Sequence, residues 1–396
     1  MNSADRARIP SERHQPPLFY AISAGLLDLI GKTSANPSVE PNPAFPKAPN
    51  AYVHSPQELA QSDSLVVHLL RFVSTLAGLA TVYLTYKISR ELQLTHSVGV
   101  LAAGINALIP QFTFLTAVVS NDSLSWATSS LALLLTLRLF TSKGAPKNVT
   151  CIFPGIALGL AFLTKGTTLI LIPFVGGVML LKVVYLKEWT KSDLLRSVLC
   201  VGSIVAIIAG WWYLRNHILY GEPTGCKLNA ELNPSLIRQK SIWSPYFRDV
   251  FPKVTFASFW GVFGWMNVIV EPALYVLYLG LMTVAFVRLC VQISDLRTSD
   301  GRSTRIQFCG LLVLLAFALL ALIELVIMNL TLDNTQGRFM YVAISAISVL
   351  MSVGLTRAFG GRQRYSGAAS LLLLMGLFVL NAYFLFFLRT VYWPLA

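Results

Sequence analysis

The sequence predicts an all-α, polytopic integral membrane protein with about ten transmembrane helices and one short helix on the outer membrane surface. Of the 396 residues, 55% are hydrophobic and only 12% are charged, whereas soluble domains carry about 25% charged residues. The mean hydropathy is +0.63. The apolar residues form long blocks separated by short charged loops, which is the pattern of helices that cross a bilayer.

The first apolar run is too short for a confident span. Pro16 and Pro17 precede Leu18 and fit the first turn of a helix, where their missing N–H groups cost nothing. The run ends near Ile30, whereas a span needs about 18–20 residues. We therefore expect a helix that lies on the membrane surface. A short or tilted span is the alternative interpretation.

The rest of the chain divides into two helical bundles. We expect an N-terminal loop with the surface helix over 1–64, a first bundle over 65–214, an outer loop with an interfacial aromatic segment over 215–268, and a second bundle over 269–396. The ten predicted spans cover about residues 65–87, 97–119, 123–141, 151–164, 166–186, 195–214, 269–290, 306–328, 338–357 and 367–388.

Basic residues predict the orientation. The connections near 87–96, 138–150, 182–196, 288–305 and 357–364 together hold 16 Lys and Arg residues, so these connections are expected to be cytoplasmic. Residues 1–64, the loop that begins at Arg215 and the C-terminus then face the outside. An N-terminus on that side needs a span upstream of it, and we expect the natural chain to begin earlier than Met1.

Charged residues in or next to the predicted spans concentrate near the outer face. A charge within a bilayer is expensive and is usually functional, although a single one can snorkel or form a structural ion pair. A transporter would instead place such groups near the midplane, with an internal repeat, and neither is visible in the sequence. The residues concerned are Arg71, Asp122, Lys165, Arg215, Glu324, Asp333 and Arg338.

Several function classes are disfavoured by composition. The net charge of +13 comes largely from loops that set topology, so we expect no nucleic-acid partner. The five cysteines form no CxxC pair, and no metal-ligand spacing is present. We expect neither a metal nor a cofactor.

Several stretches, in the right order, resemble the membrane glycosyltransferases of the GT-C fold, which use lipid-linked sugars. These include the protein O-mannosyltransferases, the aminoarabinose transferases and a bacterial branch of predicted membrane glycosyltransferases. The matching stretches are HQPPLFY from His14, Ser120-Asn121-Asp122, GLAFLTKGTTLILIP from Gly159, GWWYLRNHILYGEPTG from Gly210, FWGVFGWMNV from Phe259 and QGRFMYVAISAISVL from Gln336.

The resemblance implies transfer of a sugar from a polyprenyl-phosphate carrier to a saccharide, lipid or protein acceptor at the outer face of a membrane, with the bacterial inner membrane favoured. Lys165 and Arg338 would bind the carrier phosphate, because cations stabilise charge that develops on phosphate oxygens. Asp122 would orient the acceptor or an arginine, or act as the catalytic carboxylate. His14 and Tyr20 would line the donor pocket. The remaining substrate-binding candidates are Arg71, Arg215 with its neighbours Trp211 and Trp212, and Glu324.

One feature of that family does not match. Its catalytic carboxylate lies in the first outer loop, after a first span, usually as an Asp-Glu pair, and this sequence has neither. Asp5 and Glu12 are the acidic residues available upstream of the Pro-Pro element. We therefore keep three hypotheses. The first is a glycosyltransferase, with the given chain complete, truncated or inactive. The second is a transporter of lipid-linked saccharides, and the third is a non-catalytic component of a surface-polysaccharide system.

Overall fold

The computed structural model describes residues 13–32, 39–45, 52–54, 63–146, 148–232, 234, 237–358 and 363–392. Within these ranges the chain is almost entirely helical, with two small antiparallel hairpins, and the all-α prediction is confirmed. The catalytic candidates Asp5 and Glu12 lie outside the described residues.

The elements follow one another along the chain in this order: α1 Leu18–Leu29, β1 Val39–Pro41, β2 Tyr52–His54, α2 Asp63–Glu91, α3 His96–Ala107, α4 Pro110–Thr116, α5 Asn121–Thr141, α6 Asn148–Phe162, a 3-10 helix Gly166–Ile170, α7 Leu171–Val184, α8 Lys191–Val205, a π-helix Ala206–Gly210, α9 Trp211–Tyr220, α10 Cys226–Leu232, a π-helix Tyr246–Val250, α11 Phe251–Trp260, β3 Val262–Phe263, β4 Val268–Ile269, α12 Pro272–Thr298, α13 Arg302–Thr331, a 3-10 helix Gly337–Ala343, α14 Ile344–Ala358 and α15 Gln363–Tyr392.

The helices match the predicted spans. Among the described residues, eight helical stretches are long and apolar enough to cross a membrane. The second predicted span is the pair α3 and α4, which bends by 64° at Pro110 because a proline cannot continue the hydrogen-bond ladder. The fourth is the shorter helix α6. The surface helix α1 has 12 residues, or about 18 Å, which is too short to span.

Helices α5 and α14 form the centre of the molecule. Most of their residues are buried, whereas α12 and α15 expose most of theirs, as lipid-facing helices do. Helix α5 packs against α2 and α6, while α14 packs against α12, α3 and α13. Helices from both halves of the sequence therefore share one interior.

The aromatic segment after α11 is packed inside the protein. Trp260 and Phe263 are buried, and the Trp260 ring stacks on Tyr278 of α12 with 4.1 Å between centroids. Trp265 alone of the tryptophans in this stretch is exposed. A membrane-interface role, which suited the composition, therefore applies at most to the tip of the β3–β4 hairpin.

Four helices are joined by hydroxyl and amide groups near the middle of the bundle. The Ser345 Oγ lies 2.7 Å from the Thr85 Oγ1 and 2.7 Å from the Ser130 Oγ. Asn106 donates to the Thr85 Oγ1 at 2.8 Å. Each pair of this kind adds about 0.6 kcal/mol in a membrane protein. The network connects α2, α3, α5 and α14.

Lys182 is fully buried at the end of α7, although the sequence pattern groups it with the basic residues of cytoplasmic loops. Its ammonium donates to the backbone oxygens of Phe140 and Ser142 at 3.0 and 2.6 Å and to the Glu188 carboxylate at 2.5 Å. It thereby satisfies carbonyls that the C-terminus of α5 leaves without partners. The position of α5 along α7 depends on this lysine.

We expect Lys182→Met to destabilise the protein strongly, because it leaves two backbone carbonyls without their donor and leaves Glu188 with Arg302 as its remaining ion-pair partner among the described residues. Removing one partner of a buried pair costs about 3 kcal/mol or more. Thermal unfolding of the purified protein in detergent measures the effect, with Lys191→Met as the matched control because Lys191 is exposed. Equal midpoints for the two variants would contradict the structural role of Lys182.

Candidate functional site

Three predicted site residues meet in one ion cluster. Asp122 forms an ion pair through Oδ1 with the Lys165 ammonium, and its Oδ2 lies 3.4 Å from Nη1 of Arg338. The side chain of Asp122 is 6% exposed, that of Lys165 17% and that of Arg338 32%. The structure therefore joins residues that are more than 200 positions apart in the sequence, and the two cations remain accessible.

The carboxylate of the cluster sits at a helix N-terminus. Ser120 is the N-cap of α5, and its hydroxyl accepts the backbone N–H of Asp122 at 3.1 Å. A negative charge in the first turn is stabilised by the helix dipole. The sequence Ser-Asn-Asp therefore begins α5 and holds the carboxylate in place.

Lys165 lies in a tight break between α6 and α7. Its backbone is extended, and the Thr168 hydroxyl closes the break by donating to the backbone oxygens of Ala161 and Lys165 at 2.8 and 2.7 Å. The threonine side chain thus satisfies carbonyls that the interrupted helix leaves free. The break directs the lysine side chain toward the start of α5.

Arg338 is held by the close packing of Gly337 on α11. The backbone N–H of Gly337 donates to the Ser258 hydroxyl at 2.7 Å, and a Cβ at position 337 would overlap the backbone of Phe259. Only glycine fits so close to another backbone. The preceding turn is anchored by Asn329, whose Oδ1 accepts from Thr335 at 2.8 Å.

Both cations have unused hydrogen-bonding capacity. A lysine ammonium carries three donors and a guanidinium five, and the buried Nε of Arg338 has no hydrogen-bond partner among the described residues. The ring of Phe339 lies between them, 5.7 Å from the Lys165 Nζ and 5.5 Å from the Arg338 Cζ. The cluster can therefore accept an anion without losing its existing contacts.

Glu324 lies near this cluster. It is half-buried on α13 and interacts electrostatically with Lys165. No ion pair joins the two within 4.0 Å in the described part of the chain. The structure thus brings together four of the predicted residues, two basic and two acidic.

The segment before α1 connects to the same place. Asn121, beside Asp122, donates to the Gln15 Oε1 at 2.5 Å. His14 is buried, and its backbone oxygen accepts from Asn216 at 2.9 Å. Gly225, at φ +75°, packs directly on the His14 side chain, where a Cβ would clash. The N-terminal segment therefore lies between the start of α5 and the end of α9.

Arg215 belongs to the His14 side of the site. Its guanidinium carbon lies 4.4 Å from the centre of the Trp212 ring, and its Nη1 donates to the Asn216 Oδ1 at 2.8 Å. Trp212 is buried, whereas its neighbour Trp211 is 52% exposed. This packing sets the orientation of the guanidinium next to the residue that holds His14.

Two predicted residues have looser connections. Tyr20 is 41% exposed, and its hydroxyl lies 3.5 Å from the Gln15 Oε1. Arg71 is exposed on α2 and forms no ion pair with any described residue. No contact in the described part of the chain therefore ties Arg71 to the cluster.

Sequence reasoning missed the neutral residues that position the charged ones. Gln15, Asn121 and Asn216 connect the N-terminal segment to α5 and α9, and Phe339 contacts both cations. Each of them is the immediate neighbour of a residue that the sequence singled out. Adjacency to a candidate charge was the signal that could have found them.

The described residues also enclose an apolar groove. Its volume is about 540 Å³, and it is bounded by α11, α12, α13 and α14. Among its lining residues only Thr255 has a polar side chain, and Met340 lines the groove two residues after Arg338. From Met340 to Met351 the groove follows the helix for about 17 Å. The described residues contain no group of three His, Cys, Asp or Glu side chains that could hold a metal ion.

A known family matches part of the chain. The profile of the dolichyl-phosphate-mannose-protein mannosyltransferases matches residues 44–222, which is less than half of the chain. A search of curated proteins found no match. The matched range includes Asp122, Lys165 and Arg215 but ends before Arg338.

Solved structures also match most of this chain. The apo crystal structure of ArnT from Cupriavidus metallidurans matches with a TM-score of 0.51 at 14% identity, over 86% of this chain and 49% of that protein. The same protein bound to undecaprenyl phosphate matches with a TM-score of 0.48 at 14% identity, over 90% and 52%. The Archaeoglobus fulgidus oligosaccharyltransferase in the apo form gives 0.46 at 15% identity, over 93% and 47%.

The match to the apo ArnT structure confirms the GT-C fold that the sequence motifs predicted. This chain spans about half the length of the solved structures that it matches. It is an integral multi-pass membrane protein.

We expect Asp122→Asn to lower the stability by about 3 kcal/mol, because Lys165 and Arg338 would face each other without the carboxylate between them. Asp249→Asn is the matched control. Asp249 is 49% exposed and pairs at 2.9 Å with Arg248, which is 76% exposed, and an exposed pair contributes at most about 1 kcal/mol. Thermal unfolding in detergent compares the two. If the unfolding midpoint of Asp122→Asn is no lower than that of the control, the carboxylate does not stabilise the two cations.

Proposed function

We propose that this protein transfers a sugar from a polyprenyl-phosphate carrier to an acceptor at the outer face of a bacterial inner membrane. The observation that carries the proposal is one combination: two partly exposed cations, Lys165 and Arg338, and an apolar groove whose lining includes Met340, two residues after Arg338. A polyprenyl-phosphate sugar has a matching shape, with an anionic head and a long apolar tail. The GT-C fold supports the same reaction class.

The cations would bind the carrier phosphate and stabilise it as it leaves. When the sugar is transferred, the bond between its anomeric carbon and a phosphate oxygen breaks, and negative charge develops on the phosphate. Donors fixed in a partly desolvated site stabilise such charge strongly. Asp122 would keep both cations aimed at the phosphate. His14, Tyr20 and Arg215 would lie along the entry to the donor pocket.

The orientation rests on the distribution of basic residues and on the position of the cluster. Lys165, Asp122 and Arg338 all lie at helix ends opposite to the basic loops. The sugar, the acceptor and the orientation are parts of the proposal. A protease-accessibility or cysteine-labelling experiment on intact cells, with a probe residue in the loop that contains Trp243, tests the orientation.

We expect Lys165→Ala and Arg338→Ala each to lower donor turnover by more than tenfold, because each removes a charge that faces the leaving phosphate. The assay measures undecaprenyl phosphate released from a panel of undecaprenyl-phosphate sugars by the purified protein. Arg248→Ala is the matched control, since Arg248 is 76% exposed and pairs with its neighbour Asp249. Wild-type turnover in both site variants would exclude these two roles.

We expect Ala318→Trp to block the carrier tail, because a large ring at this position fills the groove. Affinity for undecaprenyl phosphate should fall at least tenfold, whereas affinity for a ten-carbon isoprenyl phosphate should change less than threefold. Ala382→Trp, at an exposed position of α15, is the matched control. If both lipids are affected equally, the groove does not hold the tail.

The second candidate is a transporter of lipid-linked saccharides. The observation that favours it is the 64° break between α3 and α4, since transporters use discontinuous helices near the midplane. Flipping of a fluorescent carrier across proteoliposomes, with no sugar transfer to any acceptor, would support this candidate over the first. Transfer without flipping would support the glycosyltransferase.

A further inference from the structure

One carboxylate near the ion cluster has no partner. Among the described residues, Glu324 forms neither a hydrogen bond nor an ion pair, although it is half-buried in a membrane-spanning helix. The two other acidic residues that the sequence singled out near the outer face are engaged: Asp122 with two cations and Asp333 with Lys240. A carboxylate within a bilayer is costly and usually functional.

The helical repeat places Glu324 on the side of α13 that faces the Lys165 turn. Phe317, seven residues earlier, lies on the same stripe and packs on Phe174 of α7 with 4.5 Å between ring centroids. Leu315 and Leu322, which line the apolar groove, lie on a different side of the helix. Glu324 therefore faces the polar cluster, and the tail groove lies behind it.

The expected depth of Glu324 in the bilayer also suits contact with a lipid-linked sugar. Helix α13 has 30 residues and is about 45 Å long, whereas the hydrocarbon core is about 30 Å thick. Glu324 is seven residues, or about 10 Å, from the outer end of α13. It therefore lies just inside the hydrocarbon boundary, at the level that a lipid phosphate and the first sugar occupy.

The proposed reaction needs a group that accepts a proton. The acceptor hydroxyl oxygen forms a bond to the anomeric carbon of the sugar, and the bond from that carbon to the phosphate oxygen breaks. Its electron pair leaves with the polyprenyl phosphate, and the hydroxyl proton must pass to a base. Both oxygens of Asp122 are occupied by cations, so Asp122 is poorly placed for this step.

We infer that Glu324 is the catalytic base, and that its carboxylate takes the proton of the acceptor hydroxyl and later releases it to water at the outer face. Lys165 then serves both sides of the reaction, since it contacts the phosphate and lies within electrostatic range of the base. This inference rests on the proposed function.

The test uses the full chain in lipid nanodiscs, with undecaprenyl-phosphate sugars as donors and a crude envelope extract as the source of acceptor. We expect Glu324→Gln to lower kcat at least 100-fold, the range that a general base contributes, with less than a threefold change in the donor KM. The acid limb of the pH–rate profile should be absent from the residual activity. Glu271→Gln, at an exposed position at the start of α12, should behave as wild type.

A second variant distinguishes loss of the base from a purely structural effect of the substitution. Glu324→Ala should regain at least tenfold in rate with added formate, which supplies a small carboxylate, whereas Glu271→Ala should not respond. A rate within threefold of wild type for Glu324→Gln, a change confined to KM, or no rescue by formate would each overturn the assignment. Absence of transfer by the wild-type chain with every donor would instead overturn the proposed function, and the assignment with it.

Discussion

One end of the helical bundle is organised by the attraction between Asp122 and the two cations that flank it. Three segments contribute: the start of α5, the break after α6 and the turn after α13. None of these charges would be stable alone at this depth. Together the opposite charges stabilise one another, and the partly exposed Lys165 and Arg338 side chains leave room for an anion.

A second lysine contact, which is buried, lies at the opposite end of α5. Lys182 holds the carbonyls of Phe140 and Ser142, about 27 Å from Asp122 along the helix axis. Lys165 and Lys182 begin and end one segment, so α5 is attached to that segment at both ends. A shift of α5 along its axis would break both contacts, which explains how a site at the membrane surface is held by helices that are otherwise apolar.

Polar and apolar features meet at Arg338. Gly337 brings the arginine against α11, and Met340 opens the groove that α11, α12, α13 and α14 enclose. A ligand that satisfies both features must carry an anionic group and a long apolar chain. Glu324, which has no ion-pair partner within the described ranges, lies on the other side of α13. This helix therefore separates the apolar groove from the side on which we place the chemistry.

The sequence by itself determined the membrane class, the helices and the identity of most charged candidates. Long apolar runs can be accommodated in a bilayer only as helices, and a charge inside such a run is conspicuous. Lys182 shows the limit of this reasoning, because a basic residue beside a loop is equally compatible with setting topology and with being buried. The short helix α1 and the boundary between two spans at Lys165 also followed from local sequence.

Only the tertiary structure decided which charges meet. Asp122 and Arg338 are joined by the packing of α11 against Gly337, a contact that no local pattern encodes. Arg71, like Lys165, is a basic residue that the sequence places near the outer face, but it has no ion-pair partner within the described ranges. In contrast, Gln15, Asn121 and Asn216 carry no charge and still link the segments of the site. Pairing depends on which helices are neighbours, and that is settled by side-chain packing across the whole bundle rather than by spacing along the chain.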